Sequence, residues 1–115
     1  MGILRFEDIM AWQKAQMLSI QVYKNFWKIK DFGYRDQITR ASVSVSNNIA
    51  EGFDRKSKAD FSRFLNYALA SNSEVRSMLY LAPKLKYLDE NKSKSLIELT
   101  NEISKIIHGL KKSLK

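Results

Sequence analysis

The sequence predicts an all-α protein: a single domain over residues 1–115, folded as an antiparallel up-down-up-down four-helix bundle. Three observations predict it. Apolar residues recur at spacings of three and four along nearly the whole chain, the period of an amphipathic helix. Helix breakers are scarce, with four glycines and one proline in 115 residues. The interruptions between periodic stretches are short, which makes successive helices antiparallel neighbours.

The first helix is expected over about residues 7–30. Ala11, Ala15, Leu18, Val22, Phe26 and Ile29 form one apolar stripe, and Ile9, Trp12, Ile20, Tyr23 and Trp27 form a second beside it. Asp31-Phe32-Gly33 reads as the first turn. The second helix is expected over about residues 34–51, with Gly52 just past its end as a left-handed cap. Ile38, Ala41, Val45 and Ile49 are its core stripe. Ser42, Ser44, Ser46, Asn47 and Asn48 are poor helix formers, so tertiary packing must hold the segment.

Ser57, with Asp60 three residues on, reads as the cap of a third helix over about residues 57–88. Phe61, Phe64, Leu65, Ala68, Val75, Leu79 and Ala82 share one face; Met78, Leu81, Leu85 and Leu88 form another. Pro83 should kink this helix or end it. Asp89 caps the fourth helix, about residues 90–112, whose stripe is Leu96, Leu99, Ile103, Ile106 and Leu110.

Composition excludes much chemistry. With no cysteine there is no disulfide, zinc-thiolate site or thiol nucleophile. The single histidine, His108, is preceded three residues earlier by Lys105, so the paired Glu-x-x-His motifs of a di-iron bundle are absent. No phosphate-binding or dinucleotide-binding glycine loop occurs. Glu51 and Glu74 remain as a conceivable carboxylate pair, but no constellation meets the needs of catalysis. We therefore expect no enzyme activity, no catalytic or metal-binding residues and no cofactor. There is no apolar run of transmembrane length and no signal-peptide core, so the expected setting is cytoplasmic, without membrane contact.

Charge supplies the positive clue. Twenty Lys and Arg against twelve Asp and Glu give a net +8, which favours a polyanionic partner. Arg55, Lys56, Lys58 and Arg63 cluster around the start of the third helix, and Lys111, Lys112 and Lys115 crowd the end of the fourth. These seven are the nucleic-acid-binding candidates; a solvated charge run is the alternative reading. Gln37, Arg40, Ser44, Asn48 and Glu51 lie on one face of the second helix. Such a polar stripe is either a structural network, with Arg40 paired to Glu51 or Glu74, or a binding surface. The doubled stripes of the first and third helices nominate Trp12, Ile20, Tyr23, Trp27, Met78 and Leu81 for contact with another subunit.

The second helix also carries a resemblance. Gln37-Ile38-Thr39-Arg40-Ala41, then Ser44-Val45-Ser46-Asn47-Asn48-Ile49-Ala50-Glu51-Gly52, then Arg55, resembles the signature of a bacterial four-helix-bundle family. That family is named for open reading frames in 23S rRNA intervening sequences. Its usual proline is Ser46 here, its second serine is Asn47, and a later glycine is Ala70. Phe6-Glu7-Asp8-Ile9 with Trp12, and Phe64-Leu65 with Ala68, Ser71 and Glu74, match as well. The resemblance implies a four-helix bundle and a homopentameric ring. It also implies kinship with the basic accessory proteins of diversity-generating retroelements, which bind nucleic acid and a reverse transcriptase. The expected function is thus non-enzymatic nucleic-acid binding through backbone electrostatics, RNA or DNA, with little sequence specificity. The alternative is a protein scaffold or adaptor.

Overall fold

The computed structural model describes residues 2–115. A 3-10 turn at Phe6–Asp8 precedes four helices: α1 (Met10–Phe26), α2 (Phe32–Asp54), α3 (Lys58–Lys84) and α4 (Glu90–Ser113). Each helix packs on its two sequence-order neighbours, α1 closes against α4, and no diagonal pair meets. This is the four-helix bundle that the periodicity predicts. The 27 residues of α3 span about 40 Å at helical rise, which sets the 43 Å long dimension. Antiparallel order places the N-terminal segment, the α2–α3 connection and the C-terminus at one end. The α1–α2 and α3–α4 connections lie at the other.

The predicted stripes of α1, α2 and α3 make most of the core: Leu18, Val22, Phe26, Ile38, Val45, Ile49, Leu65 and Leu79 are fully enclosed. On α4 the buried face is rotated from the predicted stripe: Leu96 and Ile103 are buried as expected, but Ile97, Thr100 and Ile107 complete the face, while Leu99, Ile106 and Leu110 are half-buried at its edge. The serines of α2 are accommodated locally: Ser42 donates to the Thr39 carbonyl at 2.8 Å, and Ser46 accepts from Gln16 Nε2 of α1 at 2.9 Å. Their small volume brings α1 close, and their hydroxyls find partners that keep burial inexpensive.

Helix boundaries differ from expectation at four places, the end of α3 among them, each for a local reason. α1 starts and stops one turn inside the predicted span, with the 3-10 turn before it and Trp27 as its last cap residue. Asp31-Phe32-Gly33 is a helix start rather than a turn: Asp31 Oδ1 accepts the Tyr34 amide at 3.1 Å, and Phe32 and Gly33 are already helical. Gly52 lies inside α2 and no glycine has positive φ. The left-handed position after α2 belongs to Lys56, at φ 62°.

Gly52 is required by packing instead. A Cβ added there would stand 2.5 Å from the Phe64 Cβ of α3. The glycine lets the two helix backbones approach where the chain reverses.

Pro83 ends α3 rather than kinking it. It occupies the last turn, and Lys84, Leu85 and Lys86 follow as a Schellman cap. The Tyr87 amide bonds the Ala82 carbonyl at 2.9 Å, the Lys86 amide bonds the Pro83 carbonyl at 3.0 Å, and Lys86 has φ 63°. Leu88 is therefore in the connection, not on a helix face. Lacking an N–H, Pro83 leaves the Leu79 carbonyl without its helical partner. The hydroxyl of Ser93, on α4, donates to that carbonyl.

The far end is tied by a second polar cluster. Tyr87 donates to Asp31 Oδ2 at 2.7 Å, and Tyr34 donates to the Met78 carbonyl at 2.5 Å. The Tyr87 hydroxyl, then the Tyr34 amide, hold the Asp31 carboxyl below its ordinary pKa. Burial, then its neighbours Tyr87 and Asp31, pushes the Tyr34 phenol above its ordinary range.

Gly52→Ala forces Phe64 aside and should destabilise by about 1–3 kcal/mol in denaturant unfolding. Gly109→Ala, with open space around its Cβ position, should stabilise by up to about 1 kcal/mol. Ser93→Ala strands the Leu79 carbonyl and should cost about 1–3 kcal/mol. In a Pro83→Ala background the restored amide bonds that carbonyl, so the Ser93→Ala penalty should shrink. An undiminished penalty would show that Ser93 acts through packing alone.

Candidate nucleic-acid interface

The end that holds both termini and the α2–α3 connection carries the basic side chains. Ser57 caps α3 by accepting the Asp60 amide at 3.3 Å, which starts the helix at Lys58 and aims its first turn at the C-terminal turn of α4. Lys58, Ser62, His108, Lys111, Lys112 and Lys115 thereby line one groove of about 450 Å³, with no Asp or Glu side chain among its lining. Lys111 Nζ donates to Asn66 Oδ1 of α3, pinning one wall. A concave site lined by one sign of charge concentrates field and counter-ions.

The seven predicted basic residues divide. Lys58, Lys111, Lys112 and Lys115 converge in the groove, and Lys56 borders an adjoining cavity that also includes Lys58. Arg55 and Arg63 turn away. Both guanidiniums stack on Phe64, at 4.8 and 5.5 Å from its ring centre. Arg63 also pairs with Asp60 at 3.0 Å, and Arg55 lines a different recess with Glu51 and Asp54. These two are partly neutralised, and aromatic stacking occupies their planar faces.

The polar stripe forms a shallow edge between α2 and α3. Gln37 donates to Glu74 Oε2 at 3.1 Å; Ser71 donates to Ser44 at 2.9 Å; Asn48 Nδ2 donates to the Ser44 carbonyl at 2.8 Å and to its Oγ at 2.9 Å. The expected Arg40 ion pair does not form. No ion pair among the described residues includes Arg40, Glu51 or Glu74. Eleven residues separate Arg40 from Glu51, about 16 Å along a helix, and Gln37 takes Glu74. Arg40 instead reaches the Asp36 carbonyl at 3.4 Å.

Of the residues nominated for subunit contact, Ile20, Tyr23, Trp27 and Leu81 are exposed, between 43% and 60%. Met78 belongs to the core, beneath the Tyr34 hydroxyl bond. Trp12 is half-buried against Phe6, 5.4 Å between ring centres. Both were nominated from a stripe whose inner edge turns inward. Tyr67 on α3 and Leu85 at its C-cap join Leu81 as exposed apolar residues; the four-residue step from Leu81 to Leu85 was a signal in the sequence.

The place of His108 beside Lys111 and Lys112 in the groove follows only from the packing of α4 on α3. Among the described residues, no group of three or more His, Asp or Glu side chains gathers as a metal site would need. Among the described residues, no helix is long and apolar enough to cross a membrane.

The model of a family described as "23S rRNA-intervening sequence protein" matches residues 7–109. The chain is also similar to a crystal structure of a protein with unknown function from the S23 ribosomal protein family, from Bacteroides thetaiotaomicron VPI-5482. That match has a TM-score of 0.84 at 25% identity and covers 90% of this chain and 99% of the other. No curated protein matches the chain.

Proposed function

The chain belongs to the 23S rRNA-intervening sequence protein family, and from that premise we propose that it is a non-enzymatic, oligomeric nucleic-acid-binding protein. The observation that carries this reading is the groove where Lys58, Lys111, Lys112 and Lys115 meet from two helices with no Asp or Glu among them. Lysine ammoniums are point charges suited to phosphate oxygens and carry no base code, so the expected binding is to the backbone, with little sequence specificity. Its driving force is release of condensed counterions.

Oligomerisation belongs to the same proposal. Apolar residues are exposed on two different flanks: Ile20, Tyr23 and Trp27 on α1 and its C-cap, and Tyr67, Leu81 and Leu85 on α3 and its C-cap. Two unlike patches suit head-to-tail contacts that close into a ring. Family resemblance supports five subunits, which would multiply +8 per chain to about +40 and strengthen the attraction for phosphates.

Titrating labelled RNA and DNA across a salt series tests the reading. Log Kd should rise linearly with log salt, and Lys111→Glu with Lys112→Glu should weaken every sequence alike and flatten that slope by about one per lost contact. Absence of binding at low salt would remove the nucleic-acid reading and leave a protein scaffold. Separately, Ile20→Glu should convert the assembly to monomers in light scattering while leaving helical circular dichroism unchanged. An unchanged mass would remove the α1 flank from the interface.

A further inference from the structure

An apolar cavity of about 320 Å³ adjoins the basic groove. Ile3, Leu4, Phe53, Phe61 and Leu114 form its walls, and Lys56 and Lys58 share the lining. The two sites are contiguous, because Lys58 and Leu114 line both. Phe53 and Phe61 stand edge-on, 5.6 Å between ring centres, and Lys56 Nζ lies 5.7 Å from the Phe53 ring centre. Leu4 is 87% exposed, an apolar side chain that the chain's own core leaves uncovered.

We propose that this cavity receives an unpaired nucleobase whose neighbouring phosphate is held by Lys58 and the groove, so that the protein selects single-stranded over duplex nucleic acid. The inference rests on the nucleic-acid reading above and deepens it. Three features fit this occupant. Ile3, Leu4, Leu114 and the half-buried ring of Phe53, backed by the buried Phe61, offer the apolar surface that a base face requires, and base-to-aromatic contact is indifferent to sequence. Lys58 lines both the cavity and the groove, so a ligand that is apolar at one point and anionic beside it matches the pair of sites. A base stacked inside a duplex cannot leave its neighbours without loss of pairing and stacking, whereas an unpaired base can enter.

The test compares binding of the full chain to labelled oligothymidylate, an abasic oligodeoxynucleotide of equal length and a duplex of equal length, at one salt concentration. Oligothymidylate should bind at least about fivefold more tightly than the abasic strand, the lower end for one stacked base. The duplex should fall with the abasic strand.

Leu4→Glu places a charge at the cavity wall on an exposed side chain, so folding is unaffected; it should bring the ratio of intact to abasic affinity close to one. Lys56→Gly suits the left-handed backbone at that position and should weaken oligothymidylate binding without lowering stability. Equal binding of intact and abasic strands, with a steep salt dependence, would overturn the base-in-cavity inference and leave the electrostatic reading standing. Full discrimination retained by Leu4→Glu would overturn the assignment to this cavity. Failure of all three ligands to bind at low salt would overturn both.

Discussion

The contact of Gly52 with Phe64 is the constraint on which the working end of the molecule depends. A glycine inside a helix is a liability by propensity, since it frees the unfolded chain and contributes no side chain. Here the absent Cβ is what lets α2 and α3 close at their shared end, because any larger residue would clash with Phe64, its Cβ only 2.5 Å from the Phe64 Cβ. That approach fixes the chain reversal at Arg55 to Ser57. The reversal in turn decides which basic side chains face α4 and which are drawn toward Phe64.

From that point the electrostatics follow from helix geometry. Lys58 is the first residue of α3 and His108, Lys111, Lys112 and Lys115 belong to the last turns of α4 or its end. Antiparallel packing brings an N-terminus and a C-terminus side by side. Cations at the end of α4 suit its dipole, and their concentration in one groove is retained without Asp or Glu side chains to neutralise it. Arg55 and Arg63 meet a different fate because guanidinium planes stack on aromatic rings more readily than ammoniums do. Phe64 therefore draws Arg55 and Arg63 against the protein, whereas Lys58, Lys111, Lys112 and Lys115 line the groove.

The opposite end has a different logic. Pro83 removes a backbone donor, and the structure answers from another helix with the Ser93 hydroxyl. Asp31 does double duty, capping α2 and accepting from Tyr87 across the two connections. Buried and partly buried polar groups are matched one to one there, so that end is a fastening. The basic end keeps unmatched charge, which is the condition for binding something else.

The fold was legible because amphipathic period survives in one dimension: a helix carries its apolar face at fixed spacing, whatever it packs against. Asp89 and Ser57 were readable as caps for the same reason, since a cap bonds an amide only three residues away. What could not be read was anything that depended on a second helix. Gly52 looked like a terminator until Phe64 was placed against it. Met78 and Trp12 looked outward because the depth of a stripe's edge is set by its neighbour. Arg40 was given an ionic partner that lies three turns away or is already taken by Gln37.

The sequence by itself determined the helices, their order and the excess of positive charge, all properties of local spacing and composition. Only the tertiary structure decided which lysines converge, since that depends on the closeness of α2 to α3 and the packing of α4 on α3, distances that no single segment encodes.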